Sequence, residues 1–277
     1  MSSINCRGTL IDLTIPKVMG ILNVTPDSFY DGGNYTNEKE IIAQVEKMLS
    51  EGATFIDVGA YSSQPNGTHI SEDEELARIS PILKLLISEF PAIVISVDTF
   101  RSDIAKKCVH LGASIINDIS AGEMDEEMFN TVAELQVPYI AMHMKGTPQT
   151  MQKTVEYKNV VTEIISFFAK KISQLHELGV NDVIIDVGFG FGKNIEHNYN
   201  LLHNLSLFKS LEAPILTGIS RKSMLYNPLN LIPDTALNAT TVANTIALLN
   251  GTSILRVHDV KEAIEAIKIV ELMKTSQ

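Results

Sequence analysis

Short β-rich apolar runs alternate with longer segments whose apolar residues recur every three or four positions, and this alternation repeats about eight times. The apolar runs are 18–24, 55–59, 93–98, 114–118, 138–143, 183–186, 214–217 and 254–258. The segments of helical period are 38–50, 73–89, 102–111, 125–135, 158–178, 197–207, 233–249 and 260–273. Strand followed by helix, repeated in this way, predicts an α/β fold, a (β/α)8 TIM barrel. The nearly continuous apolar strands suit parallel strands covered by helices on the outside. The competing architecture is a doubly wound open sheet, which places a Gly-rich turn after its first strand. Here that junction, 23–33, reads NVTPDSFYDGG and lacks the GxGxxG pattern.

Residues 6–13 read as an extra strand or hairpin, expected at the barrel bottom, and nothing between 1 and 277 marks a linker or an internal repeat beyond the βα unit. One domain is expected. A hydrophobic fraction of 45% over 277 residues supplies a sizeable core. The net charge of −11 argues against nucleic acid and anionic membrane as partners. It also means that any anionic ligand must be met by cations gathered locally. Cys6 and Cys108 lie far apart without metal-ligand spacing, the pattern of reduced thiols. With neither a signal pattern nor a membrane-length apolar run, the expectation is a cytoplasmic protein.

Barrel enzymes assemble their sites from the C-terminal ends of several strands. Those ends here carry Asn23, Asp57, Asp98, Asn117 with Asp118, His143, Asp186, the group 220–222, and Arg256 with His258. A lone Asp at such a place is usually a cap or a turn former; polar residues at nearly every end are not explained that way. Asp98, Asn117 and Asp186 offer carboxylates and a carboxamide, expected between apolar walls from Val97, Ile115, Ile116 and Phe189. They suit a heterocycle with a guanidine-like edge. Arg221, Lys222, Arg256 and His258 form the expected cation group after strands seven and eight, the usual phosphate corner. Alternation along the last strand sends Arg256 and His258 to one side. In 186–193, DVGFGFGK, glycine lets the backbone approach a ligand while Phe189 or Phe191 offers an aromatic face. His143 is expected to be structural.

Seven separate segments then carry a resemblance over about 18–272: GILNVTPDSFYDGG (20–33), SVDTFRSDIA (96–105), INDISAG (116–122), MHMKGTPQTMQ (142–152), DVGFGFGKNIEHNYNLL (186–202), GISRKSM (218–224) and LRVHDVKEAIEAI (255–267). The chain resembles the dihydropteroate synthase family of pterin-binding barrels. The resemblance implies condensation of (7,8-dihydropterin-6-yl)methyl diphosphate with 4-aminobenzoate, in folate biosynthesis. It implies that Asp98, Asn117, Asp186 and Lys222 hold the pterin. Arg256 lines the pterin and, with His258 and Asn23, meets the diphosphate; Asn23 also ligates Mg2+. Phe191 and Ser220 border the aminobenzoate, Ser63 keeps a ligand-binding hydroxyl, and Phe29 and Pro65 lie on loops that close over it. A homodimer is implied as well.

The second loop departs from the family pattern Gly-Gly-Glu-Ser-Thr-Arg-Pro-Gly, reading GAYSSQPN at 59–66. Gln64 replaces an arginine there, so weaker binding of 4-aminobenzoate is expected and the response to sulfonamides is in question. The rival readings are a methyltetrahydrofolate-dependent corrinoid methyltransferase, which needs no diphosphate corner, and a catalytically silent pterin-binding protein. Asn23, Lys222, Arg256 and His258 favour the synthase over both.

Overall fold

The computed structural model describes residues 3–24, 35–61, 69–148, 151 and 155–276. An antiparallel hairpin, β1 (Ser3–Cys6) and β2 (Thr9–Asp12), precedes the barrel strands. These are β3 (Lys17–Asn23), β4 (Phe55–Gly59), β5 (Ile95–Asp98), β6 (Ile115–Asp118), β7 (Tyr139–Met142), β8 (Val183–Asp186), β9 (Ile215–Thr217) and β10 (Ile254–Val257). They run parallel in chain order and close where β10 pairs with β3, Arg256 opposite Met19. The expected (β/α)8 barrel is therefore the observed one.

The helices are α1 (Tyr35–Ser50), α2 (Glu72–Glu89), α3 (Ser102–Leu111), α4 (Met128–Leu135), α5 (Val160–Glu177), α6 (Ile195–His203), α7 (Ser223–Tyr226), α8 (Leu237–Leu249) and α9 (Val260–Thr275). Their starts follow local chemistry. The Asn159 side chain accepts from the backbone of Val161 and Thr162, and Asn194 accepts from His197, satisfying donors that open α5 and α6. Asp125 was expected inside a helix. Its carboxylate instead accepts from the Ser102 and Glu127 backbones, so α4 begins at Met128. The expected helix 233–249 is split, a 3-10 turn at Pro233–Thr235 preceding α8. The segment 197–207 likewise divides into α6 and a 3-10 stretch, Leu205–Leu211.

Strand alternation sorts the interior into two layers. The lower layer is Met19, Phe55, Ile115, Ile140, Ile184, Leu216 and Ile254, packed with Ile4, Cys6 and Leu13, so the hairpin region closes the barrel bottom as expected. Two residues further along each strand, the same inward direction reaches Ile21, Asp57, Asn117, Met142, Asp186, Gly218 and Arg256, with Asp98 from β5. The barrel is thus dry at its base and polar at its C-terminal rim. The alternate residues on each strand, such as Val18, Val58, Val97, Ile116, Tyr139 and Ile185, face outward into the helix-covered core.

Candidate active site

Arg256 organises the rim. Its Nε donates to Asp57 Oδ2 at 2.7 Å and its Nη2 to Asp98 Oδ2 at 2.9 Å. Asn117 Nδ2 donates to the same Asp57 oxygen at 3.0 Å. Four strands, β4, β5, β6 and β10, therefore meet in one hydrogen-bonded cluster. Burial pushes the Asp98 carboxyl up to about 7, aided by the charges of Asp57, Glu75 and Asp118 and opposed by Arg256. For Arg256 burial works against the charge, but Asp57 and Asp98 outweigh it and raise its pKa further. The guanidinium is permanent; the proton on Asp98 is not.

This corrects the expected division into a carboxylate slot and a separate cation corner. A guanidinium drawn into a buried rim must be neutralised there, since an uncompensated buried charge costs several kcal/mol. The cations and carboxylates are accordingly interleaved. Lys222 behaves the same way. Burial lowers its ammonium to about 8, while Asp186 opposes that shift, and its Nζ donates to the Phe189 carbonyl at 2.5 Å. Asp186 is raised by burial, with Lys222, the Gly188 N–H and Arg256 pulling it back. Gly218 lies between the two: a Cβ there would sit 3.7 Å from Asp186 Oδ2 and 3.9 Å from Arg256 Cβ. At this inward position no side chain of its own separates Asp186 from Arg256.

Two further expectations are revised. Arg221 is not part of an anion corner. Its backbone takes φ +55° and its guanidinium turns to Asp259 as a fork, Nε to Oδ2 at 3.1 Å and Nη2 to Oδ1 at 2.6 Å. Of the expected apolar walls, strand alternation puts Val97 and Ile116 in the outer core and Ile115 in the barrel floor, and the turn after β8 carries Phe189 into the outer core. The apolar side of the rim is a different set: Met142, Met144, Ile119, Tyr61 and Phe100, with Phe191 packed against them.

The loop 187–193 gives its two phenylalanines opposite fates. Phe189 is fully buried in the core, while Phe191 stands half-buried with the Lys222 ammonium 4.7 Å from its ring centroid. Gly188 takes φ +68°, and a Cβ on it would fall 2.0 Å from the His143 carbonyl oxygen, so glycine is required. His143 is structural, as expected. Burial and the nearby Lys193 push its ring down to about 2, so it stays neutral.

His258 stands one residue beyond β10 and is exposed. It shares the strand's inward parity with Arg256 but has a different partner: its Nδ1 lies 3.1 Å from Ser220 Oγ, and its N–H donates to that oxygen at 3.2 Å. Partial burial and the charges of Arg256 and Arg221 pull its pKa down to about 4. Asn23 ends β3 exposed at the same rim, its carboxamide without a hydrogen-bond partner among the described residues. Phe29, Ser63, Gln64 and Pro65 lie outside the described residues.

Two residues have roles that the sequence did not assign. Asp57, noted only as a polar strand end, is fully buried and holds Arg256. Lys193 is buried beneath the loop, and no local pattern announces that. The adjacent Asp118, by contrast, faces outward and accepts from Tyr139 Oη at 2.6 Å, a structural role. Cys6 and Cys108 are buried thiols that burial pushes up to about 12, which removes them as nucleophiles.

The sequence profile described as pterin binding enzyme matches residues 19–258. The chain is 40% identical to the dihydropteroate synthase of Escherichia coli K12 over 267 residues, 96% of this chain and 94% of that protein. The structure is similar to that of the Yersinia pestis dihydropteroate synthase in complex with a sulfonamide drug: TM-score 0.91, 40% identity, 99% of this chain and all of that one. It is equally similar in TM-score, 0.91, to the Xanthomonas albilineans dihydropteroate synthase with 4-aminobenzoic acid, at 34% identity over 99% and 98% of the two chains.

Proposed function

The chain belongs to the pterin-binding enzyme family, among its dihydropteroate synthases, and on that premise we propose how its rim performs the reaction. It is a transferase of folate biosynthesis, joining (7,8-dihydropterin-6-yl)methyl diphosphate to 4-aminobenzoate with release of diphosphate. Asp98, Asn117 and Asp186 hold the pterin, their acceptors meeting the ring's paired N–H donors while the Asn117 amide both gives and accepts. Lys222 lies over the same ring and balances Asp186. The observation that carries this reading is the convergence of Asp57, Asp98, Asn117 and Arg256 in one hydrogen-bonded cluster on the rim, with Asp186 across Gly218 from Arg256.

Arg256 serves the leaving group. Asp57 keeps Nε in place, and the Nη2 now on Asp98 is released when the pterin takes that carboxylate. The freed donor then meets the diphosphate together with His258, stabilising charge that grows as the C–O bond to the methylene breaks. His258 is neutral in the free protein and gains proton affinity beside that anion. The electron-rich ring delocalises the developing cation, with Asp98 and Asp186 favouring it, and the arylamine nitrogen then attacks the methylene carbon. Phe191 and Ser220 border the arylamine, and Ser63, Phe29 and Pro65 complete its enclosure. No protein nucleophile is used.

Mg2+ fits the donor set. Among the described residues no three acidic, His or Cys side chains converge on a metal. Mg2+ commonly takes one or two protein oxygens and completes its shell with phosphate and water, and the free Asn23 carboxamide supplies such an oxygen. Asn23 would hold the ion, which would supply Lewis-acid neutralisation of the diphosphate charge.

We assign the chain a single catalytic domain in the cytoplasm, working as a homodimer. Among the described residues no helix is long and apolar enough to cross a membrane, and both cysteines are free. The dimer reading is supported by exposed Val242, Ile246 and Leu249 on one face of α8, beside Ile269, Leu272 and Met273 on α9. Such a contiguous apolar face marks a protein contact. Light scattering giving the mass of one chain would remove it. Incubation with the pterin diphosphate, Mg2+ and labelled 4-aminobenzoate tests the function. Labelled dihydropteroate and stoichiometric diphosphate are expected, and their absence from active-site-competent protein overturns the reading.

A further inference from the structure

Lys193 is only 3% exposed, and no carboxylate lies within bonding distance of it among the described residues. Its ammonium instead faces four acceptors: the carbonyls of His143 at 3.1 Å, Gly188 at 2.9 Å and Phe191 at 2.9 Å, and His143 Nδ1 at 3.0 Å. A lysine has three N–H donors, so at least one is shared. The neutral His143 ring accepts through Nδ1 and carries its own proton on Nε2. Burial pushes the Lys193 ammonium well below its usual value, Asp186 opposes that shift and Lys222 adds to it. Burying an ammonium among carbonyls is expensive unless each contact is made, so the loop is built around this group.

What the ammonium holds is the turn that carries Phe191. The Gly188 carbonyl accepts from Lys193 and also from the Phe191 N–H at 3.1 Å, closing 188–191 into a tight turn. The bond to the His143 carbonyl ties that turn to the segment leaving β7, where the Gly188 backbone already lies too close for any side chain. The Phe191 ring projects from this turn toward Lys222 and packs against the apolar cluster of the rim. Asp98, Asn117 and Arg256 are fixed by their own strands and by Asp57, without help from Lys193.

We propose that Lys193 is the positioning residue for the arylamine half of the site: it staples the 188–191 turn to His143 and so sets where the Phe191 ring stands. This rests on the assignment of Phe191 to the 4-aminobenzoate. Loss of the staple takes this donor from the His143 and Phe191 carbonyls and leaves the Gly188 carbonyl with the Phe191 N–H alone, so the turn relaxes and the arylamine loses its wall while the pterin keeps its own partners.

Steady-state kinetics on the full chain, varying each substrate separately, test it. Lys193→Gln and Lys193→Met are expected to raise KM for 4-aminobenzoate about tenfold while KM for the pterin diphosphate changes less than about twofold. Phe191→Ala is expected to do the same, and Phe191→Ala with Lys193→Gln should be no worse than Phe191→Ala alone, because the lysine acts through the ring. If Phe191→Ala raises the aminobenzoate KM but folded Lys193→Gln leaves it unchanged, or if the two effects multiply, the positioning role is overturned. If Phe191→Ala itself has no effect, the Phe191 assignment falls and takes the proposal with it. Should Lys193→Met not fold, Lys193→Gln decides; a Lys193→Gln chain that also fails to fold makes the residue a folding determinant and overturns the proposal.

Discussion

Arg256 Nη2 donates to Asp98 Oδ2 across 2.9 Å, while its Nε is held by Asp57 at 2.7 Å. The two ends of one guanidinium thus have unequal partners. Asp57 is fully buried, whereas the Asp98 side chain is 16% exposed and open to the rim. A ligand that occupies Asp98 frees one end of Arg256 and leaves the other anchored.

Removing the cation should therefore cost stability as well as activity. Arg256→Met leaves the Asp57 carboxylate buried without its charge partner, for which a loss of about 3–5 kcal/mol is expected. Adding Asp57→Asn to that variant should recover a large part of it. Denaturant midpoints of the two variants and the parent measure this; a double variant no more stable than Arg256→Met would contradict the anchoring role of Asp57.

The rim should give a narrow pH profile. Asp98 at about 7 is protonated below that pH, and then cannot accept from the pterin, so kcat/KM for the pterin diphosphate should fall about tenfold per unit on the acid side. Lys222 at about 8 loses its charge above that pH, giving an alkaline fall. The folding linkage has a definite sign. Asp98 binds its proton more tightly folded than unfolded, so between about pH 4 and 7 its contribution to stability declines as pH rises. Asp98→Asn should abolish the acid limb, and a limb that persists in that variant would point elsewhere.

Gly218→Ala should act on binding. The added methyl stands between Asp186 and Arg256 and meets neighbours no closer than 3.7 Å, so folding should tolerate it. KM for the pterin diphosphate is expected to rise at least about tenfold with the melting temperature within a few degrees of the parent. Unchanged pterin KM would place the ring somewhere else.

Asn23→Ala should weaken Mg2+ without altering the fold. Activity at low Mg2+ is expected to drop about tenfold to a hundredfold and to recover as Mg2+ is raised. A Mg2+ titration of both proteins gives the answer; identical half-saturation would remove Asn23 as a ligand.

Gln64→Arg should lower KM for 4-aminobenzoate by a few-fold, about 1 kcal/mol for the restored charge. Michaelis constants that do not change in the variant would remove the idea that Gln64 weakens 4-aminobenzoate binding.

Much of this was legible in the residues. The alternation of apolar runs with helical segments fixed the barrel and its order, since a half-buried helix and a covered parallel strand each need their own hydrophobic period. Polar residues at the strand ends marked the working rim, and Asp98, Asn117, Asp186, Lys222 and Arg256 all lie there. Helix limits were less legible: Asp125 left its expected helix because Ser102, distant in sequence, claimed its carboxylate. Pairing was not legible at all. That Arg256 neutralises Asp57 and Asp98 rather than joining Arg221, that Phe189 enters the core while Phe191 meets the rim, and that Lys193 staples a turn to His143 all depend on strand closure. Local patterns set which way each side chain faces along its own strand. Only the closed barrel decides which charges from different strands become neighbours, and burial then forces them to pair.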